Sequence, residues 1–200
     1  MRIIIAEDQT MVRQALVALL ELEPDLEVVA QAASGDEALA MARKHQPEIA
    51  VLDIEMPGLS GIEVTSQLRA SGFAGGIVIV TTFDRPGYLR AAMAAGARGF
   101  LLKDAPAASL AAAIRRVAAG ELVVDPTLAA AALAQGDSPL TDREGEVLAA
   151  AASHDAIADI AARLHLSPGT VRNHLSAAIQ KLGARNRGEA VQIAQQKGWL

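Results

Sequence analysis

The chain has no cysteine among its 200 residues, which excludes disulfides, thiolate metal sites and cysteine nucleophiles and points to a cytoplasmic setting. Aromatic residues are nearly as scarce: one Trp, one Tyr and three Phe, with the Trp at position 199. An aromatic cage for a small ligand is therefore not expected in the N-terminal half. No apolar run approaches the roughly 18 residues of a membrane span. The stretch Ile3-Ile4-Ile5-Ala6 after Met1 and Arg2 is too short for a signal peptide, so no membrane insertion is expected. What is present suits a folded chain: 52% hydrophobic residues, many of them alanine, and 20% charged. The length permits one large domain or two modest ones.

Acidic residues are also missing where it matters. The net charge is −5, but residues 1–137 hold 11 Lys and Arg against 17 Asp and Glu, whereas residues 138–200 hold 7 against 6. From Ile160 to Gly188 there is no Asp or Glu, while Arg163, Arg172, Lys181, Arg185 and Arg187 all fall there. A solvated basic helix face would look like this, and so would a surface built for a phosphate backbone.

The first 120 residues alternate β-branched runs (Arg2–Ala6, 27–30, 49–52, 77–81 and Gly99–Leu102) with helical patterns beginning near Met11, Gly35, Ser60, Pro86 and Pro106. Such alternation predicts an α/β fold, a doubly wound parallel sheet of five strands in the flavodoxin-like order 2-1-3-4-5. Gly120 ends the fifth helix. Residues 121–138 read as a linker with a short helix, punctuated by Asp125-Pro126 and Ser138-Pro139. Residues 139–200 show four helix patterns and no strand, opening on Thr141-Asp142-Arg143-Glu144, a capping box.

Ligands of parallel α/β sheets sit beyond the carboxyl ends of the strands. Here those ends carry Glu7-Asp8 after the first strand, Asp53 after the third, Thr81-Thr82 after the fourth and Lys103 after the fifth. Singly, each reads as a helix cap or a solvated side chain; together they form a specific constellation. Two carboxylates about 4 Å apart repel by roughly 4 kcal/mol at an effective dielectric of about 20, which a divalent ion would reverse. Oxygen ligands without His or Cys suit Mg2+. Asp53 could then act as nucleophile toward a phosphoryl group, with Lys103 and the Thr81 hydroxyl receiving its oxygens.

The motifs Ala6-Glu7-Asp8-Gln9, Leu52-Asp53-Ile54-Glu55-Met56-Pro57-Gly58, Val80-Thr81-Thr82 and Gly99-Phe100-Leu101-Leu102-Lys103-Asp104 resemble, in order, those of response-regulator receiver domains. The resemblance covers residues 1–120. It implies Asp53 as phosphoacceptor, with Glu7, Asp8, Asp53 and the backbone carbonyl of Glu55 around Mg2+. It also implies Lys103 as phosphate contact, Thr81 with Phe100 as the moving switch pair, and a sensor histidine kinase as phosphodonor. Many receivers have Pro after the lysine; Asp104 stands here, so no cis bond is expected at that turn. The stretch Thr81-Thr82-Phe83-Asp84-Arg85-Pro86-Gly87-Tyr88 and the loop after Asp53 are most similar to regulators of the fatty-acid desaturase type.

Ser167-Pro168-Gly169-Thr170 announces a helix that Gly183 terminates. Its apolar side is Val171, Leu175, Ile179 and Leu182, and Arg172, Asn173 and Ser176 share an adjoining arc. By itself this is an ordinary amphipathic helix. Residues 140–190, through Leu140-Thr141-Asp142-Arg143-Glu144, Leu166-Ser167-Pro168-Gly169-Thr170-Val171-Arg172-Asn173-His174 and Lys181-Leu182-Gly183, resemble the output domain of the regulators named for NarL, FixJ and LuxR. That likeness implies a four-helix domain with a central helix-turn-helix and a double-stranded DNA operator as partner. Thr170, Arg172, Asn173 and Ser176 would then face the major groove, and Lys181, Arg185 and Arg187 would hold phosphates. The chain departs from that family at Gly145, usually basic, at His154, usually glycine, and at Ala156-Ile157-Ala158, usually polar; Ser153 or Asp155 could supply the missing cap instead.

The helix 11–22 is more apolar than one buried face requires. Met11, Ala15, Ala18 and Leu22, beside Leu110 and Ile114 of the last receiver helix, are therefore the expected surface of a homodimer formed on phosphorylation, with the helix after Pro86 as a competing surface. Other functions fit less well, and a protein-interaction module would leave the acidic pocket idle. Aspartate-nucleophile phosphatases have Asp where Glu55 stands and leave residues 140–200 unexplained, so no enzyme activity is expected. A small-ligand sensor lacks the aromatic residues.

Overall fold

A computed structural model describes residues 1–82, 86–134, 138–153 and 156–200; Phe83, Asp84, Arg85, His154 and Asp155, named above, lie outside them. The β-branched runs form β1 (Arg2–Ala6), β2 (Glu27–Ala32), β3 (Ile49–Asp53), β4 (Gly76–Thr81) and β5 (Gly99–Leu102). Each is followed by a helix: α1 (Thr10–Glu21), α2 (Gly35–His45), α3 (Gly61–Ala70), α4 (Pro86–Ala94) and α5 (Ala107–Ala118). A two-residue strand β6 (Val123–Val124) and helix α6 (Pro126–Ala134) follow.

The sheet is parallel throughout, in the order 2-1-3-4-5-6. The order expected from the sequence holds for five strands, and β6 is an addition. It was hidden in an alanine-rich stretch because two residues carry no periodicity. Ile3, Ile5, Val51, Val78 and Val80 pack on Val17 and Leu20 of α1 and on Ile114 and Val117 of α5. The alternate residues Ile4, Ala50, Leu52 and Ile79, also buried, point to the other face, where α2 covers β1 and β2 and packs on α3. Burial on both faces explains why these strands read as continuous apolar runs. The parallel register sets Ala6 beside Leu52, Asp53 beside Val80 and Thr81 beside Leu102, so the polar residues that end the strands emerge along one edge.

The chain divides into two compact units, the first carried mainly by residues up to Ala130 and the second mainly by Ala131–Leu200. The second contains α7 (Asp142–Ala152), α8 (Ile157–Arg163), α9 (Pro168–Lys181) and α10 (Arg187–Gln196). Val147, Leu148, Ile160, Val171, Leu175 and Ala190 form its core. Thr141 and Glu144 make the expected reciprocal capping box on α7, and Ser167 accepts from the Thr170 amide to cap α9, with Pro168 in its first turn. The turn between α8 and α9 places His165 at φ 54°, a left-handed conformation that glycine adopts more readily. Helix α8 starts from Ala156 without a side-chain cap, and Ser153, one of the two expected caps, instead closes the C-terminus of α7. No helix among the described residues is long and apolar enough to cross a membrane.

Candidate functional site

The edge where the strands end gathers the predicted pocket. Glu7, Asp8 and Asp53 each place a carboxylate oxygen within 4.8 Å of the others. Glu7 is 1% and Asp53 5% exposed, whereas Asp8 faces solvent. The Lys103 ammonium bridges the buried pair, 2.5 Å from Glu7 Oε2 and 2.9 Å from Asp53 Oδ2. Asp53 Oδ1 accepts from the Ile54 amide at 2.7 Å, and Glu7 Oε1 from the Gln9 amide at 3.1 Å. The Lys103 amide donates to the Thr81 carbonyl at 2.8 Å, tying the lysine to the end of β4. Thr81 and Phe100 are both buried, and Glu55 is an exposed residue of the loop after β3.

Burial raises the pKa of Asp53, opposed by the hydrogen bond and charge of Lys103. Burial likewise raises that of Glu7, and the nearby Asp53 charge adds to the rise against the pull of Lys103. Burial works to lower the pKa of Lys103, but its close contacts with the Glu7 and Asp53 carboxylates together outweigh it and the value rises. One cation thus serves two buried carboxylates, and a third, Asp8, lies beside them. Glu7 Oε2 touches Lys103 yet accepts no well-directed hydrogen bond, so it retains acceptor capacity. Three oxygen donors, one of them open to water, fit a hard divalent ion that keeps part of its hydration shell.

Two residues absent from the sequence reading shape this pocket. Arg13 on α1 donates to the Glu7 carbonyl at 2.5 Å. Gly61, the first residue of α3, is packed so closely that a Cβ there would lie 2.0 Å from the Asp53 carbonyl oxygen. Both act on backbone atoms, which leave no residue pattern; the only signal was an arginine in the first turn of a helix without an acidic partner.

In the second unit Arg172, Asn173 and Ser176 are exposed on α9, and no hydrogen bond or ion pair joins their side chains to other described residues. Thr170 is half-buried and its hydroxyl lies 2.8 Å from the Ser167 hydroxyl. The expected phosphate contacts differ in kind. Lys181 donates to the nearly buried Glu144 of α7 at 2.7 Å, and Arg185 forks onto Glu189; Arg187 also has a partner.

On α1, Met11 is 83% and Leu22 78% exposed, with Ala15 and Ala18 exposed between them. The expectation for α5 needs correction. Leu110 and Ile114 are 7% and 0% exposed and belong to the sheet-facing core, so they offer no surface to a second chain. The outward face of α5 carries Ala108, Ser109, Ala112 and Arg116.

Residues 3–115 match the response regulator receiver domain family, and residues 138–194 match the family described as bacterial regulatory proteins, luxR family. The chain is 47% identical to the uncharacterised transcriptional regulatory protein YvfU of Bacillus subtilis, covering 100% of this chain and 99% of that protein. It is 44% identical to the transcriptional regulatory protein DesR of the same organism, covering 99% and 98%. Among solved structures it is similar to the response regulator ChrA of a heme-sensing two-component system, with a TM-score of 0.60 and 33% identity over 100% of this chain and 98% of that one.

Proposed function

The chain belongs to the two-component response regulators that join a receiver to a LuxR-type DNA-binding domain and regulate transcription, and on that footing we propose that phosphorylation of Asp53 switches it between a weakly and a strongly DNA-binding form. Residues 1–120 act as the receiver, 121–138 as linker and 139–200 as the output domain, in the cytoplasm. The observation that carries this is the meeting of Glu7, Asp8 and Asp53 with Lys103 at one edge of the sheet.

Asp53 attacks the phosphorus of a phosphohistidine on a sensor kinase: the carboxylate O–P bond forms as the imidazole N–P bond breaks, and the imidazole leaves with the electron pair. Glu7, Asp8, Asp53 and the Glu55 backbone carbonyl hold Mg2+, which, when bound, supplies charge neutralisation for the phosphoryl oxygens. Lys103 leaves its place between the two carboxylates to pair with the phosphoryl group, and Thr81 follows with its hydroxyl. Phe100, which β5 shares with the approach to Lys103, carries that movement into the sheet. The exposed Met11, Ala15, Ala18 and Leu22 of α1, with Ser109 and Ala112 of α5, then cover one another across a two-fold homodimer. Two copies of α9 read the two halves of an operator.

Incubating the full chain with Mg2+ and a small acyl phosphate should add one phosphoryl group, read by intact mass spectrometry, and Asp53→Ala should abolish it. Equal labelling of the variant would sink the assignment.

A further inference from the structure

We infer that Arg13 is a positioning residue that holds the loop of Glu7 and Asp8 in the shape that directs both carboxylates at the metal position. Helix α1, like α5 and α8, starts without a side-chain cap. Side chains cap α2, α3, α7, α9 and α10 at their N-termini, but Gln9 makes no cap bond to α1, whose first turn has no acidic residue. The loop before it, Asp8 to Thr10, is exposed, so packing does not fix its path, and within it the Gln9 amide donates to Glu7 Oε1 at 3.1 Å.

Arg13 supplies the missing hold. Its Nη1 donates to the Glu7 carbonyl at 2.5 Å and to the Asp8 carbonyl at 3.4 Å, and its Nη2 to the Thr10 hydroxyl at 3.4 Å. A planar fork can reach several such acceptors from one direction. The Glu7 amide is anchored on the other side by the Ala32 carbonyl at 3.1 Å. Glu7 and Asp8 are thus gripped by their backbone, while the Asp8 carboxylate is exposed and that of Glu7 meets Lys103 and the Gln9 amide in the pocket. Outer partners that orient metal ligands are commonly worth about 10- to 100-fold in metal affinity.

The sign of the effect separates positioning from charge. A guanidinium beside the pocket repels a divalent cation, so charge alone predicts that removing it tightens Mg2+ binding, whereas loss of positioning predicts weaker binding. The inference rests on Glu7 and Asp8 being Mg2+ ligands, as proposed above.

The test is calorimetric titration of the metal-free full chain with MgCl2, for the wild type, Arg13→Met and Arg13→Lys, together with amide hydrogen exchange at Asp8 to Thr10 without metal. Arg13→Met should bind Mg2+ about tenfold more weakly and exchange faster at those amides, with Arg13→Lys between it and the wild type. Equal or tighter Mg2+ binding by Arg13→Met overturns the inference. A wild type that does not bind Mg2+ overturns the metal reading instead, and exchange then decides: unchanged rates in Arg13→Met overturn the positioning role. If Arg13→Met does not fold, Arg13→Lys takes its place, and wild-type affinity and exchange in that variant overturn it.

Discussion

Lys103 joins two buried carboxylates: burial raises the pKa of Asp53 and of Glu7 against its pull, and its contacts with both raise its own pKa against burial. A second cluster shows the same chemistry in water. Arg115 of α5 grips Asp25 with Nε at 2.9 Å and Nη2 at 2.6 Å, and reaches Glu23 at 2.6 Å. The Arg115 hydrogen bond is the main cause that holds the Asp25 carboxyl at about 2, below its usual 3.8. A carboxyl depressed in the folded state contributes stability that is present above its unfolded value and lost as pH falls through the folded one. Denaturation midpoints measured from pH 5 down to pH 2 should therefore fall more steeply for the wild type than for Asp25→Asn, and high salt should shrink the difference because the pair is exposed. Matching acid limbs at low salt would show that this clamp adds nothing. The strand-end residues of the pocket were legible in the sequence because a parallel sheet delivers every strand's carboxyl end to one edge. The Arg115 clamp, the Arg13 bonds and the close approach of Gly61 were not, since they join distant positions or touch backbone and leave no spacing to read.

Helices whose ends carry their own signals matched expectation: Thr141 with Glu144 on α7 and Ser167 with Pro168 on α9 sit where the caps form, and α3, expected to begin near Ser60, is capped there by Ser60 with Glu63. Amphipathic spacing was less informative about partners. It marks α5 as having an apolar face, but the sheet takes all of it through Leu110, Ile114 and Val117. On α1, by contrast, Val17 and Leu20 fill the core and leave Met11 and Leu22 in water. A glycine inside α7 offers a direct test of element energetics. A Cβ at Gly145 would meet nothing within 4 Å, and Ala in a helix interior is favoured over Gly by roughly 0.5–1 kcal/mol. Gly145→Ala should raise the stability of the isolated 139–200 unit by about that much in urea unfolding. A drop would mean that helix propensity does not set the stability of α7 at this position.

At the scale of the whole molecule, phosphorylation has to become DNA affinity, and the exposed face of α1 is the means proposed. Charges placed at Met11→Glu and Leu22→Arg sit on residues that make little of the core, so the fold should survive with changes within about 0.5 kcal/mol. Light scattering with an acyl phosphate should show a dimer for the wild type and a monomer for this pair of substitutions; a dimer in both would move the interface elsewhere. Joining two half-site readers can raise avidity by roughly 10² to 10⁴ without any new contact, so on the function proposed the dimer would set how tightly the operator is held and α9 which operator it is. Within α9 and its surroundings the cations divide into two kinds. Arg172 is exposed near the N-terminus of α9 with no described partner, in the place from which a recognition helix reads base edges. Arg172→Ala should cost about 1 to 3 kcal/mol on the preferred duplex and relax its sequence preference. Lys181 is committed to Glu144, whose carboxylate its hydrogen bond holds below the ordinary range. A lysine that releases this partner to meet a phosphate gives up one charge pair for another, so Lys181→Met should flatten the salt dependence of binding by less than the single unit expected of a free phosphate contact. Isotherms on specific and random duplexes across a salt series check both at once. Equal weakening of both duplexes by Arg172→Ala would remove α9 as the reader, and a full unit lost from the slope in Lys181→Met would show that Lys181 meets phosphate as a free cation does, with no offset from Glu144.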